Sequence, residues 1–193
     1  MELDPRDHDW NQLYRLVTSV VVPRPIGWFS TYDGDANDNL APFSSFNYVS
    51  HQPPVLMFTA GTRENGELKD TPRNAIEHGE FVFNLVSSAL AARMVRTSEA
   101  LAADESEFNF AGVERADSVT VDPPRVADAP VSLECSLYDT YRFDHGRVMV
   151  MGEVTYAHVD DAVLTDGEVD ASKVDAVGRL GGPYYTGTDV VEF

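Results

Sequence analysis

Short apolar segments with the two-residue period of a β-strand recur along this chain, and no regular succession of helices separates them. The clearest lies at 131–137, where Val, Leu, Cys and Leu alternate with Ser, Glu and Ser, as expected of a strand with one buried face. Doubly wound parallel sheets alternate strands with helices, whereas many short strands are typical of sandwiches and barrels. The chain is therefore predicted to be mainly β and to form a barrel. Further strands are predicted at 26–32, 40–46, 55–59, 81–86 and 147–158.

Three short helices are predicted beside these strands. Residues 9–17 carry apolar side chains at helical spacing. A second helix has the signals of both ends: Thr71 suits the N-cap, Pro72 the first helical position and Gly79 the C-terminal stop. The third is predicted at 89–97.

Length and composition predict one domain over residues 1–193. Hydrophobic residues make up 43% of the chain, enough for a core. No apolar run approaches the roughly 20 residues that span a bilayer, and the acidic N-terminus lacks the pattern of a secretory signal. We therefore expect a cytoplasmic protein. The single cysteine, Cys135, excludes an internal disulfide and a four-cysteine zinc site.

The chain is strongly acidic, with 32 acidic against 14 basic residues and a formal net charge of −18. Such a surface repels phosphates, so neither nucleic acid nor an anionic membrane is an expected partner. The bases comprise only two lysines, Lys69 and Lys173, and twelve arginines. We hypothesise a halophilic protein, because concentrated salt screens repulsion among exposed acids. The alternative is an ordinary acidic cytosolic protein.

Several common catalytic motifs are absent from the sequence. It has no glycine-rich dinucleotide fingerprint, no phosphate loop and no Gly-x-Ser-x-Gly nucleophile motif. The five histidines show no metal-ligand spacing, so no metal site is predicted. Cys135 falls on the apolar face of its strand and is predicted to be a core thiol. No catalytic side chain is therefore predicted.

The segment Lys69-Asp70-Thr71-Pro72 predicts a phosphate site. A helix N-terminus presents unpaired N–H groups and the positive end of the helix dipole. The Thr71 hydroxyl and the Lys69 ammonium would add two donors, and Arg63 is near enough in sequence to join them. In the alternative interpretation Thr71 only caps the helix and Lys69 is solvated.

The stretch Asn39–Asn47 mixes apolar residues with small hydroxyls and amides. A planar ring with polar edges needs such a lining. Trp28, Ser30 and Thr31 offer the same mixture on the preceding strand. In the alternative interpretation these polar side chains simply face solvent.

Taken together, these segments resemble the flavin reductase-like domain family, the FMN-binding split barrels, and within it the flavoredoxin-like branch. The motifs follow the family's order from about residue 20 to residue 185, and the order makes the combination specific. The matching segments are Pro23–Thr31, Asn39–Ser44, Phe46–Ser50, Pro53-Pro54, Lys69–Thr71 with Asn74, Gly152–Val154, and Arg179–Gly182 with Tyr184.

The resemblance implies a Greek-key split β-barrel with peripheral helices and a homodimer that holds FMN at its interface. It implies that Ser30, Thr31 and residues 41–47 border the flavin ring or ribityl chain, and that Lys69 and Thr71 hold the phosphate. Arg179 and Tyr184 would lie near the flavin or the dimer interface. The cofactor-binding residues predicted on all these grounds are Trp28, Ser30, Thr31, Ala41, Pro42, Phe43, Ser44, Ser45, Phe46, Asn47, Lys69, Asp70, Thr71, Arg179 and Tyr184.

The function implied by the resemblance is an NAD(P)H-dependent flavin reductase, in which NADH or NADPH reduces FMN and a small molecule or protein accepts the electrons. Many relatives carry a histidine, associated with nicotinamide binding, where this chain has Arg147, and His145 lies two residues before it. An electron carrier or ferric reductase without direct NAD(P)H use is therefore an alternative. A non-catalytic split-barrel binding module and a related barrel with another cofactor, such as pyridoxamine phosphate or a deazaflavin, are two more.

Overall fold

The computed structural model describes residues 2–34, 37–101, 105–188 and 191. In these residues the chain forms four α-helices and a larger number of strands. The helices are α1 (Trp10–Val20), α2 (Asp70–His78), α3 (Ala91–Arg96) and α4 (Glu107–Ala111). The strands are β1 (Arg24–Pro25), β2 (Gly27–Tyr32), β3 (Asp38–Phe43), β4 (Phe46–His51), β5 (Pro54–Ala60), β6 (Glu80–Leu85), β7 (Arg115–Ala116), β8 (Arg125–Val126), β9 (Val131–Arg142), β10 (Val148–Val159), β11 (Leu164–Thr165), β12 (Glu168–Val169), β13 (Val177–Arg179) and β14 (Tyr185–Gly187).

Seven of the strands form one antiparallel sheet in the order β3-β2-β6-β9-β10-β5-β4. The sheet curls into a half barrel, and its two edge strands are joined directly through Ser44 and Ser45. The single strand predicted at 40–46 is therefore wrong, because the chain leaves β3 and enters β4 at these two serines. The prediction of a mainly β barrel with peripheral helices is confirmed.

One face of the sheet is filled by an aromatic cluster around Phe29. The Phe29 ring centroid lies 4.4 Å from that of Phe58 and 5.5 Å from that of Phe81. Gly152 on β10 leaves room for the Phe81 ring, since a Cβ at that position would lie 2.2 Å from it. Cys135 is fully buried on this face, and burial raises the pKa of its thiol, so the prediction of a core thiol is confirmed.

The opposite face of the sheet is also covered, which corrects the predicted half-exposed strand at 131–137. Ser132 is 1% exposed and Glu134 fully buried, because residues 117–126 lie over this face. Fully buried Asn84 holds the covering segment in place. Its Oδ1 accepts hydrogen bonds from the Val126 N–H and the Ser132 hydroxyl, each at 2.9 Å. A period-two pattern does not reveal a polar strand face that is buried by hydrogen-bonded loops.

The peripheral helices differ in how much they bury. The α1 helix begins after Asp9, whose carboxylate accepts the N–H groups of residues 11 and 12, and it runs three residues beyond the predicted end. None of its residues is buried. The helix predicted at 89–97 starts as a 3-10 turn, Ser88–Leu90, and continues as α3. In the part of the chain that the structure describes, no helix has the length and apolar character needed to cross a membrane.

Candidate cofactor site

A cavity of about 570 Å³ lies where the start of α2 meets β3. Residues 97–101, Glu105 and Glu107 form its other wall. Two separate predictions meet here, the phosphate segment and part of the ring-binding stretch. The predicted residues that line the cavity are Ala41, Pro42, Phe43, Lys69, Asp70 and Thr71.

The α2 helix begins two residues earlier than predicted. Lys69 is the N-cap, with an extended backbone, and Asp70 is the first helical residue. Thr71 is therefore not the N-cap: it is 2% exposed, and its hydroxyl donates to Oδ1 of Asn39 at 2.7 Å. The predicted end is confirmed, because Gly79 adopts the left-handed conformation with φ 76°.

The first turn of α2 is left without a side-chain cap. The Arg73 N–H donates to the Lys69 carbonyl oxygen at 3.1 Å, the first hydrogen bond of the helix. The N–H groups of Asp70 and Thr71 precede it and have no acceptor within the helix, and Pro72 has no N–H. Within the described residues the helix therefore presents two free backbone donors and the positive end of its dipole beside the cavity.

Basic side chains surround this helix end. The Lys69 side chain is exposed, and its ammonium has no hydrogen-bond or ion-pair partner within residues 2–34, 37–101, 105–188 and 191. Arg63 and Arg73 both pair with Asp70, and the Arg73 Nη2–Asp70 Oδ1 distance is 2.8 Å. Arg63 and Arg73 also line the cavity. Lys69, Arg63, Arg73 and Asp70 together carry a net charge of +2 at the helix start, while six more acids line the cavity: Asp33, Asp38, Glu67, Glu99, Glu105 and Glu107.

A buried polar network fixes the position of α2 against the sheet. Besides the Thr71 hydroxyl, Asn39 Oδ1 accepts that of Thr31 at 3.3 Å, while Asn39 Nδ2 donates to Oε2 of Glu107 at 3.0 Å. Asn74 completes the network by donating to Oγ1 of Thr31 at 3.3 Å. The network links β2, β3, α2 and α4 beneath the cavity.

The side chains of Trp28, Ser30 and Thr31 are fully buried in the single chain and do not line the cavity, so their contact with a flavin stays a prediction. The Trp28 Nε1–H donates to Oγ1 of Thr97 at 2.9 Å, and the Ser30 hydroxyl donates to the Pro124 carbonyl oxygen at 2.5 Å. These internal partners satisfy the polar groups that suggested ligand contacts in the sequence.

The remaining predicted residues lie outside the cavity of the single chain. The Phe46 ring stacks on Phe83 with centroids 4.8 Å apart, so it belongs to the aromatic cluster. The Arg179 guanidinium lies 4.5 Å from the ring centroid of Tyr185 and donates to the Gly182 carbonyl oxygen. The residues in this group are Ser44, Ser45, Phe46, Asn47, Arg179 and Tyr184.

Several residues of the site were missed by sequence analysis. Arg73 had a sequence signal that could have revealed it, because it follows Asp70 by three residues, a spacing at which oppositely charged side chains pair on a helix. Glu107 had none, because it is 68 residues from Asn39 in the chain. Among the described residues no group of three or more His, Cys, Asp or Glu side chains is placed to hold a metal ion.

Comparison with known proteins identifies the family. Residues 19–173 match the model of the flavin reductase like domain. An uncharacterized protein of Aquifex aeolicus is 41% identical over 186 residues, which cover 96% of this chain and 94% of the relative. The fold is that of split-barrel flavin reductases.

Several solved structures resemble the whole chain, and two of them illustrate the similarity. Nitrilotriacetate monooxygenase component B from Bacillus cereus has a TM-score of 0.94 at 28% identity, with coverage of 100% of this chain and 98% of that one. The 2-nitrobenzoate 2-nitroreductase NbaA of Pseudomonas fluorescens has a TM-score of 0.91 at 33% identity, with coverage of 100% and 95%. This chain therefore belongs to the flavin reductase-like domain family and is a flavin-related oxidoreductase.

Proposed function

We propose that this protein is an FMN-dependent NAD(P)H oxidoreductase that acts as a cytoplasmic homodimer of single-domain chains spanning residues 1–193. The observation that carries the proposal is the uncapped start of α2 beside the cavity, with the Lys69 ammonium at its N-cap and no partner for that ammonium among the described residues. A phosphate ester needs a positive charge and several N–H donors at one place, and this helix end supplies both.

The wall beside the helix suits the rest of the cofactor. Ala41, Pro42 and Phe43 lie along β3 and line the cavity with apolar surface. An aromatic ring needs flat apolar contacts with a few polar groups at its edge. In this proposal the phosphate lies at Lys69 and the ring system extends along β3.

The homodimer is supported by exposed apolar surface on α1. Trp10 is 77% exposed, Tyr14 60% and Val17 54%, although the chain carries a net charge of −18. Apolar side chains clustered on one exposed helix favour burial against another protein surface. We assign the exposed members of the predicted cofactor residues outside the single-chain cavity to the region of this interface, namely Ser45, Asn47 and Tyr184, the last at 68% exposure.

A bound flavin supplies the redox chemistry, and the protein supplies binding and orientation. The Lys69 ammonium and the N–H groups of Asp70 and Thr71 hold the phosphate. The β3 residues orient the ring and exclude water from one side of it. No side chain of this chain is assigned as acid, base or nucleophile.

The electron donor in this proposal is NADH or NADPH. Arg147 is exposed immediately before β10, at the position where the family resemblance implies a histidine. We propose free flavin, passed on to a separate oxygenase, as the acceptor, by analogy with the monooxygenase component B. A nitroaromatic compound is a second candidate, and the 33% identity to a nitroreductase favours testing it.

The test is the visible spectrum of the protein, purified in high salt, before and after anaerobic addition of NADH or NADPH. We expect a flavin spectrum that bleaches with one of the two donors. Bound flavin that stays oxidised with both would favour an electron carrier. A colourless protein that also fails to bind added FMN would refute the proposal. Assays of the reduced protein with excess FMN and with 2-nitrobenzoate separate the two acceptors.

A further inference from the structure

Asp70 is an unusual residue to find at a site proposed for an anion, because its carboxylate would repel a phosphate. Asp70 is the first residue of α2, so the positive end of the helix dipole stabilises its negative charge. The dipole gives no reason for a carboxylate beside a bound phosphate. The hydrogen bonds of Asp70 indicate a second role. Oδ2 of Asp70 pairs with Nη2 of Arg63, and Oδ1 pairs with Nη2 of Arg73 at 2.8 Å.

These two ion pairs place two guanidinium groups on a single carboxylate. Arg63 lies in the loop after β5, and Arg73 lies one turn into α2. All three side chains are partly exposed, at 45%, 40% and 34% for Arg63, Arg73 and Asp70, and all three line the cavity. Because each carboxylate oxygen takes one arginine, Asp70 brings together two cations that would otherwise repel each other.

The resulting charge matches one kind of phosphate. At the helix start the Arg63–Asp70–Arg73 cluster and Lys69 sum to +2, although the cavity is also lined by the acids Asp33, Asp38, Glu67, Glu99, Glu105 and Glu107. A terminal phosphate monoester carries about −1.5 to −2 at neutral pH, which this local charge balances. FAD contains a diphosphate bridge instead, with one negative charge on each phosphorus. Its charge is spread along the bridge, so only part of it would lie near the cluster. The helix itself adds only two N–H donors, because Pro72 has none, so the side-chain cations must supply much of the binding.

Resting on the proposed function, we infer that Asp70 is a specificity-determining positioning residue, which holds Arg63 and Arg73 so that the site prefers a flavin with a terminal phosphate monoester. Asp70 acts through the two arginines and not by contact with the phosphate. The site accordingly prefers FMN to FAD and to riboflavin.

The experiment measures the dissociation constants of FMN, FAD and riboflavin by quenching of flavin fluorescence. The proteins are the full chain, Asp70→Asn, Arg63→Gln and the control Asp128→Asn. Asp128 forms a comparable surface ion pair with Arg93, at 3.1 Å, and does not line the cavity. A thermal melt of each variant checks that it is folded.

In Asp70→Asn we expect FMN to bind about tenfold more weakly, while riboflavin affinity and the control stay unchanged. Arg63→Gln should give the same pattern. If Asp70 acted only by repelling the phosphate, its removal would tighten FMN binding. Tighter or unchanged FMN binding in Asp70→Asn would therefore overturn the inference. An equal loss for riboflavin would do the same. Failure of the unmodified chain to bind any of the three flavins would instead refute the proposed function.

Discussion

Nε2 of His158 lies 2.6 Å from Oε1 of Glu134, on neighbouring strands and beneath the segment that covers the sheet. Glu134 is fully buried and also accepts the N–H groups of Val119 and Thr120 and the Thr120 hydroxyl. Burial raises the pKa of Glu134, but the hydrogen bonds from His158, Thr120 and Val119 outweigh it and hold the pKa at about 2. This carboxylate therefore fastens the covering segment to the sheet.

Glu134→Gln should lower the free energy of unfolding by about 3 kcal/mol at neutral pH. The folded pKa of about 2 lies below the ordinary value of 4.5, so the stabilisation is complete above pH 4.5 and is lost as the pH falls towards 2. The difference between the two proteins should shrink over that range in denaturant titrations. Glu168→Gln, at an exposed position on β12, is the control and should have no effect. A constant difference at every pH would contradict this account.

Lys69→Ala should weaken FMN binding by about tenfold, because the variant loses the ammonium at the start of α2, which has no partner in the part of the chain that the structure describes. Fluorescence quenching gives the dissociation constant. Lys173→Ala removes the other lysine of the chain, whose Nζ donates to the Leu164 carbonyl oxygen at 2.5 Å, and should leave FMN affinity unchanged. Equal affinities in the two variants would place the phosphate elsewhere.

Thr71→Val should lower the melting temperature by about 2–4 °C and leave FMN affinity nearly unchanged. The hydroxyl is used by Asn39, at 2.7 Å, whereas the Thr71 N–H remains available to a phosphate. Thr71→Ser keeps the hydroxyl and should restore most of the stability. A large loss of FMN affinity in Thr71→Val alone would show that the hydroxyl contacts the phosphate directly.

Val17→Glu should shift the protein from dimer towards monomer, because it puts a charge into the exposed apolar face of α1. Light scattering after gel filtration measures the mass, to be compared with 21.3 kDa for one chain. Val169→Glu changes the same residue type at the same 54% exposure on β12, and should leave the mass unchanged. A dimer that persists in Val17→Glu would exclude α1 from the interface.

The melting temperature should rise with KCl between about 0.1 M and 2 M, because the Debye length falls from about 10 Å to 3 Å or less. Repulsion among the acids behind the net charge of −18 weakens over this range. Thermal melts in KCl and in an equal concentration of NaCl check that the effect is general screening. A protein that is fully stable without added salt would contradict the halophilic hypothesis.

Much of the fold could be predicted from the sequence, because the signals for strands and helices are local. The end of α2 at Gly79 followed from one residue type that tolerates positive φ. The start of the same helix was predicted wrongly, because the Thr71 hydroxyl donates to Asn39, 32 residues away, and does not cap the helix. The stretch Asn39–Asn47, which was predicted to line a ring, does not lie in one place: residues 41–43 line the cavity, whereas Phe46 packs in the core.

Sequence alone determined that this chain is an acidic, mainly β protein with a basic helix start suited to an anion, because charge and periodicity depend only on composition and order. Tertiary structure alone decided which partners the polar side chains have within the chain. Ser30 and Thr31 were taken up by buried hydrogen bonds, while Arg63 and Arg73 were brought to one carboxylate. The physical reason is that hydrogen bonds and ion pairs act over a few ångströms in space, between side chains whose separation in the chain carries no signal.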